Sequence, residues 1–223
     1  FVLMLHHVVK QSTPLPSKSK VIILGGGFSG QHIAAVLRNL GADVLCSRRK
    51  EGTKGADFVF DSDLTKPIPH EVFKDATHLI SCIPPLKDGA DPVLSLLKER
   101  MISLDLKWVG YLSTTGVYGD SQGAWVDETS IPNPKQMRSI RRLSCEQNWI
   151  KSGLPVQILR LPGIYGPGRS AIDTLLKGNF TITNKPKQVF SRVHIDDIAG
   201  AIIFLINSTA KGFKPQIINI TDN

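Results

Sequence analysis

The stretch that most constrains this chain runs from Lys20 to Arg49. Lys20-Val21-Ile22-Ile23-Leu24 is a short apolar, β-branched run of the kind found in strands buried on both faces, and it leads straight into Gly25-Gly26-Gly27-Phe28-Ser29-Gly30. Ile33, Val36, Leu37 and Leu40 then recur at helical spacing, Gly41 supplies a stop signal, and Asp43-Val44-Leu45-Cys46 reads as a second strand. Together these make one βαβ unit with G-x-G-x-x-G where its first strand meets its helix. In that setting Gly25 permits the tight turn, Gly27 lets a pyrophosphate approach the backbone, and Gly30 lets the helix pack close to the strand. The phosphate sits on the helix N-terminus, where Phe28 and Ser29 contribute N–H groups without intrahelical partners.

The end of the second strand bears on which dinucleotide is expected. An acid there would bond the ribose 2′-OH of NAD, but this chain has Ser47-Arg48-Arg49. Two guanidinium groups and a hydroxyl suit a 2′-phosphate, so NADP is the expected cofactor, with NAD as the alternative. A solvated basic turn continuing into Lys50 is the competing account of the same charges.

Composition sets the outer bounds. A chain of 223 residues, 41% hydrophobic and 21% charged, can bury one full core, or one large domain with a small lobe. The formal charge of +8 suits an anionic ligand. No zinc-finger, helix-turn-helix or RNA-recognition pattern is present, and the apolar start, Phe1 to Leu5, is too short for a membrane span. The expected partner is therefore a small phosphorylated molecule, not nucleic acid or membrane. Cys46, Cys82 and Cys145 are odd in number and far apart, which implies a reducing compartment: the cytoplasm, or an organelle stroma if the acid-free first 20 residues are the tail of a transit peptide. His6 and His7 have no third ligand nearby, and no metal site is expected.

Further along, strands are predicted at 56–60, 77–83, 108–113, 156–160 and 216–220, with helices at about 91–101, 135–151 and 198–206. The strands are continuous apolar runs alternating with helices. The predicted fold is α/β, a doubly wound parallel sheet of the Rossmann type with a small, incomplete C-terminal substrate lobe. Residues 1–19 read as an extension or linker, 20–165 as the dinucleotide-binding domain, and 166–223 as the partial lobe plus a helix and strand returning to the core. Residues 180–192, with a turn at 184–187, carry what remains of that lobe.

Four stretches recur in order along the chain: Gly25 to Gly30, Ser113-Thr114-Thr115-Gly116-Val117-Tyr118-Gly119, Arg160-Leu161-Pro162-Gly163-Ile164-Tyr165-Gly166-Pro167-Gly168, and Val193-His194-Ile195-Asp196-Asp197-Ile198-Ala199. With them the chain resembles the extended branch of the short-chain dehydrogenase/reductase superfamily, the nucleotide-sugar epimerase and dehydratase group. The resemblance implies that Thr114 polarises a substrate oxygen, that Asp63 and Leu64 border the adenine, and that Pro162, Gly163 and Ile164 lie beside the nicotinamide. Asp196 and Asp197 are either a dipole-stabilised first helical turn or substrate contacts. Arg160 and Arg169 either reach a substrate phosphate or pair with local acids.

One departure stands against these matches. The family's proton chemistry uses Tyr-x-x-x-Lys, and counting back from Glu146 puts Arg138 at the tyrosine position and Arg142 at the lysine position. An arginine stays protonated and cannot replace a phenol as acid and base. The two arginines are four apart and share a helix face, expected to look onto the cleft, with Ile140, Leu143 and Ile150 on the other. Arg142 either reaches the cofactor ribose or pairs with Glu146, and Tyr118 is the only nearby phenol. Two readings stand at this point. One is an epimerase- or dehydratase-like oxidoreductase that acts by hydride transfer, favoured by Thr114 and the 162–164 loop. The other is a non-catalytic dinucleotide-binding module for redox sensing or assembly, favoured by the missing pair.

Overall fold

The computed structural model describes residue 10 and residues 12–63, 67–178 and 189–222. In chain order the strands are β1 (Lys20–Leu24), β2 (Asp43–Arg48), β3 (Phe58–Val59), β4 (His78–Ser81), β5 (Trp108–Thr114), β6 (Val156–Leu161), β7 (Gly163–Tyr165), β8 (Arg192–His194) and β9 (Ile217–Asn219). The helices are α1 (Phe28–Asn39), α2 (His70–Phe73), α3 (Pro92–Ile102), α4 (Met137–Ile150), α5 (Ala171–Leu176) and α6 (Ile195–Thr209), with a 3-10 turn at Thr115–Tyr118.

A seven-stranded sheet runs β3-β2-β1-β4-β5-β6-β9, parallel throughout. Side-chain alternation along each strand feeds two cores, one on each face. Val21 and Ile23 of β1 join Leu159 of β6 and the buried stripes of α1 and α6. Ile22 and Leu24 join Ile158 and the buried residues of α2, α3 and α4. Both faces being covered is what makes the strands read as unbroken apolar runs. Each fully buried aliphatic side chain stabilises by about 1.5–3 kcal/mol over exposure, and α6 alone seats Ile195, Ile198 and Ile202 at 0% exposure.

Local signals place the helices. Asp91 caps α3 by accepting from the N–H groups of Val93 and Leu94, both at 3.0 Å, and Pro92 follows it at the first position. The same carboxylate takes the Trp149 indole N–H at 2.9 Å, tying α3 to α4. Gly41, at φ +84°, ends the turn between α1 and β2.

At one edge, the amide of Asn219 donates to the Glu128 carboxylate at 2.6 Å, beside the β9 residues that pair with β6. β7 and β8 form a separate two-stranded parallel sheet outside the main one. Leu64, residues 179–188 and both histidines of the start lie outside the described residues, as does the expected 184–187 turn. Among the described residues no helix is long and apolar enough to cross a membrane.

Candidate functional site

The strand order reverses between β1 and β4, which places a crevice at the carboxyl ends of these strands, where the glycine turn stands. Gly25 has φ +100°, a left-handed value that side chains rarely adopt, and a Cβ there would sit 2.8 Å from Ile83 Cγ1. A Cβ on Gly26 would be 2.7 Å from the Ser47 carbonyl oxygen, and one on Gly30 would collide with the Gly25 carbonyl oxygen. Gly27 differs: among the described residues nothing lies within 4 Å of the place its Cβ would take. Gly27 is also the N-cap of α1, with no side-chain hydrogen bond and no acid in the first turn. The N–H groups of Phe28, Ser29 and Gly30 thus begin a 12-residue helix with no acid in its first turn and no described atom beside the Gly27 Cβ position.

The 2′-phosphate end departs from expectation at Ser47. That residue is 1% exposed and its Oγ accepts the Gly25 N–H at 2.9 Å, so the hydroxyl braces the glycine turn instead of standing open. Arg48 is half-buried; its Nη2 lies 3.5 Å from the Lys54 carbonyl oxygen, and its Nε has no hydrogen-bond partner among the described residues. Arg49 is solvated, with Nε 3.7 Å from Asp61 Oδ1. Asp63 is exposed.

Two residues that the sequence reading passed over hold this end together. Gln31 Nε2 donates to the Gly55 carbonyl at 2.6 Å, which pins the loop after β2 onto α1. Asp57 Oδ2 accepts from Arg38 Nη2 at 2.5 Å and from the Cys46 N–H at 2.7 Å.

At the other end, Thr114 closes β5. Its Oγ1 accepts the Gly116 N–H at 3.1 Å, capping the 3-10 turn and leaving the hydroxyl proton free to donate. Tyr118 is not an available phenol. It is 6% exposed, its hydroxyl donates to Asn219 Oδ1 at 2.9 Å, and the Arg160 guanidinium lies 4.7 Å from its ring centroid.

Burial along α4 follows polar partners more than the apolar pattern. Ser139, Cys145, Glu146 and Trp149 are the buried residues, whereas Ile140 is exposed. Glu146 goes inward because it is fully partnered there: Arg160 Nη2 meets Oε2 at 2.7 Å and Ser113 donates to Oε1 at 2.5 Å. Glu146 therefore pairs not with Arg142 but with Arg160, which is 2% exposed. Arg142 is half-buried, with Nη1 donating to Leu112 O and Tyr111 Oη at 3.1 Å each and 3.4 Å from Ile83 O. Burial holds the Tyr111 phenol well above its ordinary pKa, opposed by the Arg142 charge beside it, so Tyr111 stays neutral. Arg138 is exposed and bonded through Nε to Gln136 Oε1 at 2.8 Å. The two arginines thus share a helix side but not an environment.

Pro162 and Ile164 are half-buried and Gly163 is exposed, the last paired in register with Arg192. The start of α6 is a polar cluster. His194 Nδ1 accepts the Asp196 N–H at 3.3 Å, and Asp196 Oδ1 lies 2.7 Å from Nε2 of His32 on α1. Burial lowers the His32 pKa, and Asp196 opposes the shift. Asp222 accepts from the Tyr165 hydroxyl at 2.8 Å and from the His194 N–H at 3.2 Å. Burial and the neighbouring Asp222 raise the Asp197 carboxyl. His32 went unnoticed in the sequence; its signal was a titratable side chain one turn before Val36 on the buried stripe of α1.

The chain matches the NAD dependent epimerase/dehydratase family over residues 88–221. It is 29% identical to Protein YeeZ of Escherichia coli (strain K12), over 86% of this chain and 75% of that protein. A functionally unknown conserved protein from Silicibacter pomeroyi DSS superposes with a TM-score of 0.78 at 34% identity, covering 92% of this chain and 73% of the other. UDP-N-acetylglucosamine 4-epimerase from Bacillus cereus shares the fold, with a TM-score of 0.75 at 20% identity, covering 92% and 76%.

Proposed function

Because the chain belongs to the NAD dependent epimerase/dehydratase family, we propose that it binds a nicotinamide dinucleotide across the carboxyl ends of β1 and β4, NADP in preference to NAD, and acts by hydride transfer on a small phosphorylated substrate of the nucleotide-sugar kind. One observation carries the binding reading. Of the four glycines in the turn, three have their Cβ positions filled by protein, and the exception is Gly27, the residue that the motif assigns to the pyrophosphate. The uncapped α1 N-terminus adds a donor set of the right sign. For the 2′-phosphate, Arg48 is the residue to which the preference is assigned, since it ends β2 half-buried, its Nη2 makes only a long 3.5 Å contact with the Lys54 carbonyl, and Ser47 is committed elsewhere.

Once bound, the nicotinamide supplies the hydride acceptor or donor. The chain's own part is to place the substrate oxygen near the Thr114 hydroxyl, with the Arg142 cation half-buried behind β5. Relatives named for nucleotide sugars support that substrate class. A second reading, a non-catalytic dinucleotide-binding module, is favoured by specific geometry: Tyr118 is buried and bonded to Asn219, and Arg138 is a permanent cation at the surface.

Calorimetric titration with NADP and NAD tests the binding half. NADP binds more tightly, and Arg48→Ala narrows the gap by about 1–3 kcal/mol, the scale of a charge-assisted hydrogen bond. Equal affinity for the two in the unaltered protein rules out the preference. Hydride transfer, followed by nicotinamide absorbance with nucleotide sugars, separates the enzyme from the module: turnover lost on Thr114→Val supports the first, and its absence with every sugar the second.

A further inference from the structure

We infer that Arg169 is a diphosphate clamp facing the glycine turn, a role that rests on the dinucleotide reading above. Arg169 follows β7 in a tight turn closed by two reciprocal backbone hydrogen bonds, Gly166 N to Arg169 O at 3.1 Å and Arg169 N to Gly166 O at 2.9 Å. Its backbone is therefore fixed. Its guanidinium lies 5.2 Å from the centroid of the Phe28 ring, and Phe28 is the first residue of α1. The turn itself is seated on that ring: a Cβ added to Gly166 would be 3.4 Å from Phe28 Cζ and 2.6 Å from Ile195 Cγ2. This packing sets the cation against the side chain of the first residue of α1, the helix whose N-terminus carries the N–H groups of Phe28, Ser29 and Gly30.

The manner of holding matters. A guanidinium held over an aromatic ring spends no hydrogen bond on that contact, so its N–H donors remain for the oxygens of a phosphate, which they match in pairs. Three other arginines near the site are spent differently. Arg160 is buried on Glu146, Arg142 donates to the Leu112 carbonyl and the Tyr111 hydroxyl, and Arg49 leans toward Asp61. Among the described residues Arg169 has no carboxylate within ion-pair distance and no acceptor for its side-chain donors. An exposed cation with no acid at ion-pair distance among the described residues, held over the ring of the first α1 residue, gives a two-sided site in this reading: backbone N–H groups of the helix start and a guanidinium fork beside them. Its ligand is a diphosphate, either that of the dinucleotide or that of a nucleotide-sugar substrate.

The test is calorimetry on the whole protein with three probes: NADP, NAD, and UDP added to protein saturated with NADP. The variants are Arg169→Ala, Arg169→Lys, and Arg192→Ala as a matched loss of one exposed charge, from a residue that stacks on Phe190. Because the diphosphate is common to both dinucleotides, Arg169→Ala weakens NADP and NAD by the same factor, about tenfold or more for a lost charge-assisted contact, and Arg169→Lys recovers part of it. Arg192→Ala leaves both unchanged. A loss confined to the UDP arm keeps the clamp and assigns it to the substrate. Unaltered binding of all three probes by Arg169→Ala overturns the inference, as does an equal loss in Arg192→Ala, which would reduce the effect to bulk charge. Failure of the unaltered protein to bind either dinucleotide is a separate result: it removes the cofactor reading and this inference with it.

Discussion

Replacing Glu146 by leucine leaves Arg160 as a cation 2% exposed, deprived of both carboxylate oxygens, and strands the Ser113 hydroxyl that now donates to Oε1. Breaking a buried ion pair from one side costs about 3–5 kcal/mol, because the surviving charge keeps its desolvation penalty and loses its partner. Against a typical domain stability of about 5–15 kcal/mol, that is a large fraction. Arg160→Met costs a similar amount, leaving Glu146 buried and charged and removing the cation over the Tyr118 ring. The double variant removes both charges together. What it still loses is the Ser113 hydrogen bond and the Tyr118 stack, together about 2–3 kcal/mol. The coupling between the two sites is therefore at least about 3 kcal/mol, favouring the double variant over the sum of the singles. Urea unfolding followed by far-ultraviolet circular dichroism, with all four proteins sharing one denaturant slope, gives the cycle. Additive singles, or a Glu146→Leu cost under about 1 kcal/mol, would show that water already serves these groups and refute the account.

The glycines of the turn separate binding from folding. Gly27→Val abolishes dinucleotide binding with little change in melting temperature, whereas Gly30→Ala lowers stability because its Cβ meets the Gly25 carbonyl; calorimetry beside thermal melts checks both. Acid acts through His78, which is 4% exposed and whose pKa burial lowers to about 4. Its folded pKa lies below its unfolded value, so above about pH 6.5 it is neutral in both states and stability is unaffected. As pH falls from there toward 4, the unfolded chain takes up a proton that the native site refuses, and up to about 3 kcal/mol is lost. Urea midpoints at pH 7.5 and 4.5 should fall further in the unaltered protein than in His78→Gln; parallel falls would exclude His78.

Much of the sheet was readable because its strands need only local information. The β1 run from Lys20 to Leu24 matches the observed strand, and Gly25 and Gly30 have the turn and close-packing geometry that the motif requires. What escaped depends on partners distant in sequence. Spacing along α4 suggests Arg142 as a partner for Glu146, yet Glu146 is buried because Ser113 and Arg160, 33 and 14 residues away, satisfy it. Tyr118 looked available because Asn219, 101 residues on, could not be placed beside it. Ser47 looked open because the turn it braces begins 22 residues earlier. β7, β8 and α2 have only three or four residues each, too few to show a period.

The Glu128 carboxylate on the Asn219 amide bears on how this protein meets its own copies. A seven-stranded parallel sheet has two edge strands, here β3 and β9 among the described residues, and unpaired N–H and C=O groups on an edge invite a strand from another molecule. On the β3 side only two residues, Phe58 and Val59, are in strand conformation, too short a template for pairing. On the β9 side an incoming backbone carbonyl would have to displace an anion already bound at 2.6 Å. The Glu128 carboxylate thus occupies one outward-facing donor of β9, the Asn219 N–H, that an added strand would need.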